Sequence, residues 1–104
     1  MNPSIPTDYP TAGSWLAGFV RSHAKRESPR IEVLLDTAGP REGRSYGIRL
    51  ELDGRFAPAP DSPPIELDFQ EVVEGRPRFA WCAALGERVR ATARELLAAP
   101  PATG

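Results

Sequence analysis

The hydrophobic residues of this chain change their spacing in a fixed order, and that order constrains the fold more than any other feature. Apolar residues at helical spacing come first, three segments of alternating apolar residues follow, and a long helical stripe comes last. Three strands with one apolar face each need a cover, and two amphipathic helices can supply it. The pattern therefore predicts an α+β fold of order α-β-β-β-α, in which two helices pack on one face of a three-stranded antiparallel sheet.

Prolines near both ends of the chain set the expected limits of a single domain. A chain of 104 residues is large enough for one core and too small for two. The segment 1–13 contains three prolines and is expected to form an irregular N-terminal arm. The α+β domain is placed at 14–99, and 100–104 is expected to be a disordered tail.

The two helices have recognisable limits in the sequence. Ser14 is a suitable N-cap for a first helix that ends near Lys25. The second helix is predicted between Phe79 and Ala98, where apolar residues recur every three or four positions. An alternative assigns 78–81 to a fourth strand that would pair with the third strand around a turn.

The strands are expected at 30–36, 45–53 and 65–70, with the last reaching 73 in its longest form. Their alternation puts polar residues on one face and apolar residues on the other. Asp53-Gly54 marks a turn after the second strand, although the Pro-rich segment that follows does not indicate a tight hairpin. The residues predicted to face the helices are Ile31, Val33, Leu35, Tyr46, Ile48, Leu50, Leu52, Ile65, Leu67 and Phe69.

The opposite face of the sheet is expected to be open and mainly acidic. Its predicted charged residues are Glu32, Asp36, Glu51, Asp53, Glu66 and Asp68, with Arg30, Arg49 and Arg55. The helices carry most of the other arginines, and such separation of charge favours oriented association. The alternative is that both faces are solvated and that opposite charges pair across strands. The predicted partner-binding residues are Arg49, Glu51, Glu66 and Asp68 on the sheet, with Arg78, Trp81 and Arg88 on the last helix.

No catalytic or ligand-binding constellation stands out in the sequence. His23 is the only histidine and Cys82 the only cysteine, and both are interpreted as structural residues. We predict no catalytic residue, no metal ligand and no cofactor. Three other possibilities stay open: a reactive Cys82 thiolate near Arg78, a cation held by strand carboxylates, and an anion held by the glycines and arginines of 39–44.

The connection after the first strand carries one family resemblance. Gly39-Pro40, followed six residues later by Tyr46, resembles the double-stranded RNA-binding domain, which has the same order of elements. That family binds RNA with its first helix, this connection and a lysine cluster at the start of its last helix. Glu42 stands where the family usually has histidine, and no lysine cluster is present here. The residues that the resemblance would assign to RNA binding are Arg41, Arg44, Arg76 and Arg78.

These patterns together favour a small non-catalytic protein-interaction domain. Its contact surface would be the open sheet face, an unpaired strand edge or the arginines of the last helix, and its partner a protein or a second copy in a homodimer. The alternatives are a nucleic-acid-binding module, less expected at a net charge of −1, and a small enzyme with an unrecognised site.

The source and location of the protein are also suggested by composition. All basic residues except Lys25 are arginine, which together with abundant alanine, proline and glycine indicates a GC-rich bacterial genome. No secretory leader and no apolar run of membrane-spanning length is visible. We therefore expect a cytoplasmic protein that does not associate with membranes.

Overall fold

The computed structural model of the protein describes residues 8–98. The predicted mixture of helices with an antiparallel sheet is confirmed, but these residues form four strands and three helices, one more of each than predicted. A short 3-10 helix at Gly39–Arg41 lies between the first two strands. The elements are α1 (Tyr9–Glu27), β1 (Glu32–Asp36), β2 (Ser45–Leu52), β3 (Arg55–Ala57), β4 (Ile65–Asp68), α2 (Phe69–Gly75) and α3 (Phe79–Ala98). The predicted tail at 100–104 and the first half of the predicted arm, 1–7, lie outside the described residues.

The central strand of the sheet is β2. β1 pairs with it in antiparallel orientation, in a register that puts Leu34 opposite Arg49. The other side of β2 is shared by two shorter strands, because β3 pairs with 50–52 and β4 with 45–48. The sheet is therefore three strands wide, and its third position is divided between β3 and β4.

A tight hairpin joins β2 to β3, contrary to the prediction. Asp53 and Gly54 have φ angles of 53° and 81°, and a two-residue type I′ turn requires positive values at both positions. Leu52 therefore lies opposite Arg55 on the helical side of the sheet. Arg55 donates a hydrogen bond to the Leu96 carbonyl of α3 (3.0 Å), so its predicted outward position is wrong.

The third predicted strand corresponds to β4 and ends at Asp68, not at 70 or 73. Ser45, the first residue of β2, pairs with Asp68, so the strand has no pairing partner beyond this point. The Phe69 amide still donates to the Arg44 carbonyl (2.8 Å) as the chain turns into α2. Val72 then anchors α2 in the core, where it is fully buried.

The first helix begins at Tyr9, so the predicted irregular arm is wrong for 9–13. Asp8 is the N-cap, and its Oδ1 accepts a hydrogen bond from the Thr11 amide (2.9 Å), which lowers the pKa of the carboxyl group. Pro10 is compatible with the first helical turn, because an N–H at that position has no partner within the helix.

The core lies between the sheet and the helices α1 and α3. Ile48, Leu50 and Leu67 are buried in it, as the alternation of the strands predicts. Val33 and Leu35, the inward residues of β1, are only half-buried. β1 is therefore the least completely covered strand. Among residues 8–98, no helix is both long enough and apolar enough to cross a membrane.

The start of α3 departs from its predicted apolar stripe. The alternative strand at 78–81 is wrong, because α3 already includes most of this segment. Phe79 is 86% exposed, and Cys82 is only half-buried. Trp81 faces the other helices instead, and its ring stacks on Trp15 at a centroid distance of 6.3 Å.

Candidate interaction surfaces

The four sheet residues proposed from the sequence lie along the outer face of the sheet. Glu66 and Asp68 are exposed, and Arg49 and Glu51 are partly covered. Arg49 donates hydrogen bonds of 2.6–2.9 Å to three carbonyls of 58–62. Glu51 accepts one from an amide of the β2–β3 turn (3.3 Å). Two of the four residues therefore hold connections of the fold in place.

An ion-pair cluster centred on Arg41 spans this outer face. The guanidinium donates to Asp36 at 2.9 Å and to Glu66 at 2.8 Å, and Ser45 Oγ donates to Glu66 at 2.7 Å. These contacts lower the pKa of the Glu66 carboxyl. Gly47 makes room for the cluster, since a Cβ there would lie 2.7 Å from Arg41 Nε. Arg41 is thus already paired with two carboxylates.

The helical residues form a second surface, on the other side of the sheet. Trp81 packs between Trp15 and the backbone of Gly75. Arg78 and Arg88 line two separate depressions beside Trp81. The fold therefore brings together the three helical candidates, but it separates them from the four candidates on the sheet.

The remaining arginines of the RNA-binding alternative do not form one patch with Arg41. Arg76 lies over the Trp15 ring, 5.6 Å from its centroid. Arg78 belongs to the surface around Trp81, and Arg44 is exposed in the connection before β2. Arg41 is therefore on the outer face of the sheet, whereas Arg76 and Arg78 are on the helical side.

His23 and Cys82 both contact neighbouring elements of the fold. His23 packs between α1 and α3 against Phe19 and Gly86, and its Nδ1 is buried without a hydrogen-bond partner. Burial lowers the pKa of His23, as do Arg26 and Arg90. Cys82 Sγ donates to the Arg76 carbonyl at 3.4 Å. Among residues 8–98, no three His, Cys, Asp or Glu side chains are grouped so that they could hold a metal ion.

The first half of α1 and the end of β1 border an open cleft of about 410 Å³, which we call the edge groove. Its lining includes Tyr9, Gly13, Ser14, Ala17, Leu35 and Tyr46. The helix contributes mainly small residues, so α1 covers the inward side of β1 only in part. The groove is the space that a larger helical side chain would otherwise fill.

Two stacked tyrosines form the floor of the edge groove. The rings of Tyr9 and Tyr46 are 4.6 Å apart and almost parallel, and Tyr46 donates to the Tyr9 carbonyl (2.7 Å). The Tyr9 hydroxyl bonds to the carbonyls of Arg41 and Ser45. Burial raises the pKa of Tyr46 to about 12. The floor is therefore fixed before any ligand enters.

The outer edge of β1 borders this groove. β1 has five residues and no proline, and no group within residues 8–98 bonds to the side of it that faces away from β2. The edge on the opposite side of the sheet is divided between β3, with three residues, and β4, with four. Prolines at 58, 60, 63 and 64 flank these two strands. Of the described edges, β1 is the one best suited to pair with another strand.

No protein-family model, curated protein or solved structure matches this chain. Its function therefore has to be inferred from the geometry of its own surfaces.

The edge groove was not predicted from the sequence, although an unpaired strand edge was among the expected contact surfaces. The reason is that Tyr9 and Gly13 were assigned to an irregular arm. A signal was nevertheless present. Gly13, Ser14 and Ala17 are small residues at helical spacing, a pattern that leaves a shallow side on a helix.

Proposed function

We propose that this protein is a non-catalytic protein-interaction domain that binds an extended segment of its partner along the edge of β1. One observation carries the proposal: a proline-free strand edge without partners among the described residues borders an apolar groove. Backbone groups of the added strand would bond to β1, and alternate side chains would enter the groove. This is strand addition, in which the backbone supplies affinity and the pockets supply specificity.

Burial at β1 supports this mode of binding. Val33 and Leu35 face inward but are half-buried, whereas the corresponding residues of β2, Ile48 and Leu50, are fully buried. An added strand would place apolar side chains beside Val33 and Leu35, against Ala17 of α1. Binding would therefore complete the cover of the sheet and bury apolar surface that is exposed in the free protein.

The proposal is tested by selecting peptides from a random displayed library against the full chain. Each selected peptide is then titrated into the labelled protein while amide chemical shifts are recorded. We expect the largest shifts at β1 and around the edge groove. Peptides that shift only the outer sheet face or the surface around Trp81 would overturn the proposal.

A matched pair of variants sharpens this test. Ala17→Leu puts a larger side chain into the groove, whereas Gly18→Leu adds the same side chain one position along, where no atom lies within 4 Å of the built Cβ. We expect Ala17→Leu to weaken peptide binding at least about tenfold, as expected for blocking a central apolar pocket, and Gly18→Leu to leave it unchanged. Equal binding by both variants would contradict a role for the groove.

A further inference from the structure

We infer that the segment bound by β1 is basic at both ends, with Lys or Arg flanking an apolar stretch of about three residues. This inference rests on the proposed function, since it specifies the partner of the same strand edge. It comes from the charges that β1 presents on the outer face of the sheet. The outward residues of β1 are Glu32, Leu34 and Asp36, an apolar side chain between two carboxylates.

The Glu32 end of the strand carries two adjacent carboxylates and one ion-paired lysine. Glu32 lies directly opposite Glu51 of β2, and like charges in this position repel each other. The nearest described cation is Lys25, whose Nζ is 3.9 Å from Glu32 Oε2. Lys25 contacts only Glu32 of this pair of carboxylates, whereas Glu51 accepts a hydrogen bond from the Gly54 amide, and the Glu32 side chain is still 67% exposed.

The Asp36 end has the same imbalance. Arg41 is shared between Asp36 and Glu66, so this cluster also contains one cation and two carboxylates. The Asp36 side chain remains 54% exposed. A cation on a neighbouring strand would meet excess negative charge at both ends of β1.

The register then defines the partner. Side chains directly opposite each other on neighbouring strands lie within about 5.5 Å, so cations opposite Glu32 and Asp36 would pair with them. An apolar residue would lie against Leu34, which is 41% exposed. The two intervening residues would point inward, beside Val33 and into the edge groove beside Leu35.

A second copy of this chain matches the edge less well. Antiparallel self-pairing along the whole of β1 places Glu32 of each copy opposite Asp36 of the other. Two pairs of like charges would then be created, with no new cation on either strand. The charge pattern therefore favours a different, basic partner over a symmetric dimer.

The test uses two capped peptides, Lys-Val-Leu-Val-Lys and Glu-Val-Leu-Val-Glu, titrated into the full chain at low salt. Both sequences are palindromes, so a parallel and an antiparallel strand present the same charges. We expect the lysine peptide to shift the β1 amides and to bind about tenfold more tightly than the glutamate peptide, with a smaller difference at high salt. Glu32→Gln should reduce the advantage, and Glu95→Gln on α3 should preserve it.

The possible outcomes separate the two proposals. Equal binding of both peptides at β1 would overturn the requirement for a basic partner and leave strand addition standing. If neither peptide shifts the β1 amides while library-selected peptides do, the inference is overturned and strand addition stands; if the selected peptides do not shift them either, strand addition itself is overturned. An advantage of the lysine peptide that Glu95→Gln abolishes as fully as Glu32→Gln would reflect overall charge and would also overturn the inference.

Discussion

Close packing between α1 and α3 depends on a single glycine. A Cβ at Gly86 would lie 2.7 Å from His23 Cε1, well inside normal contact distance. We expect Gly86→Ala to lower the free energy of unfolding by about 1–3 kcal/mol, measured by urea denaturation, because the helices would have to move apart. Gly18→Ala is the control: its Cβ meets open space, so it should be neutral or stabilising by up to about 1 kcal/mol. Equal losses would contradict this packing.

The same histidine makes stability depend on pH. Burial lowers the pKa of His23 below its ordinary 6.5, and the charges of Arg26 and Arg90 lower it further. The folded state therefore favours neutral imidazole, and protonation favours the unfolded chain. The contribution is fully present above about pH 6.5 and is lost as the pH falls toward the folded-state pKa. Denaturant midpoints of the wild type and of His23→Gln, measured from pH 8 to pH 5, should diverge; parallel curves would contradict the expected effect.

The packing role of these residues could be inferred only in part from the sequence. The sequence supported a structural role for His23, which packs against Gly86. It could not show that the two residues touch, because spacing along one helix carries no information about which atoms of another helix approach it. Contacts of this kind follow from the way that whole elements pack.

Among the elements, the hairpin between β2 and β3 fixes the position of the shortest strand. Gly54 has a φ of 81°, which a residue with a Cβ adopts only with strain. We expect Gly54→Ala to lower the free energy of unfolding by about 1–2 kcal/mol, measured by thermal and urea denaturation. Asp53→Asn is the control, since Asn tolerates this conformation well, and the exposed ion pair with Arg30 that it removes contributes little to stability. A neutral Gly54→Ala variant would argue against the type I′ turn.

The extent of strand pairing explains why β2 was predicted correctly from the sequence and the end of β4 was not. The alternation that places Ile48 and Leu50 in the core is a local signal, and it was sufficient for β2. The end of β4 is set by its partner: pairing stops at Ser45, the first residue of β2, so apolar residues from Phe69 onward form a helix instead of extending the strand. The residue at which β4 ends is therefore determined by a strand that is distant in the sequence, and the local pattern does not reveal it.

At the scale of the whole molecule, charge is separated less simply than the sequence suggested. Carboxylates do dominate the outer residues of β1 and β4, but Arg41 folds onto that face from the connection before β2. Arg55, in contrast, turns to the helical side. Negative charge on this face therefore includes both ends of β1, where Glu32 and Asp36 remain largely exposed despite their ion pairs.

This distribution leads to a prediction about oligomeric state. We expect the wild-type protein to be monomeric, because full pairing of two β1 strands would oppose Glu32 and Asp36. Glu32→Lys should promote dimers, since each new lysine would face Asp36 of the other copy while also relieving the repulsion from Glu51. Light scattering after size-exclusion chromatography measures the mass of both proteins over a range of concentrations.

The control for this experiment carries the same change of charge away from the strand edge. Glu95→Lys on α3 reduces the net negative charge equally but leaves β1 untouched, so it should remain monomeric. Dimers formed by both variants would indicate a general effect of net charge. A wild-type dimer that survives Ala17→Leu and a charge change at Glu32 would place its interface elsewhere. Dimers formed by Glu32→Lys alone would show that the charges of β1, and not the shape of its edge, keep two copies of this chain apart.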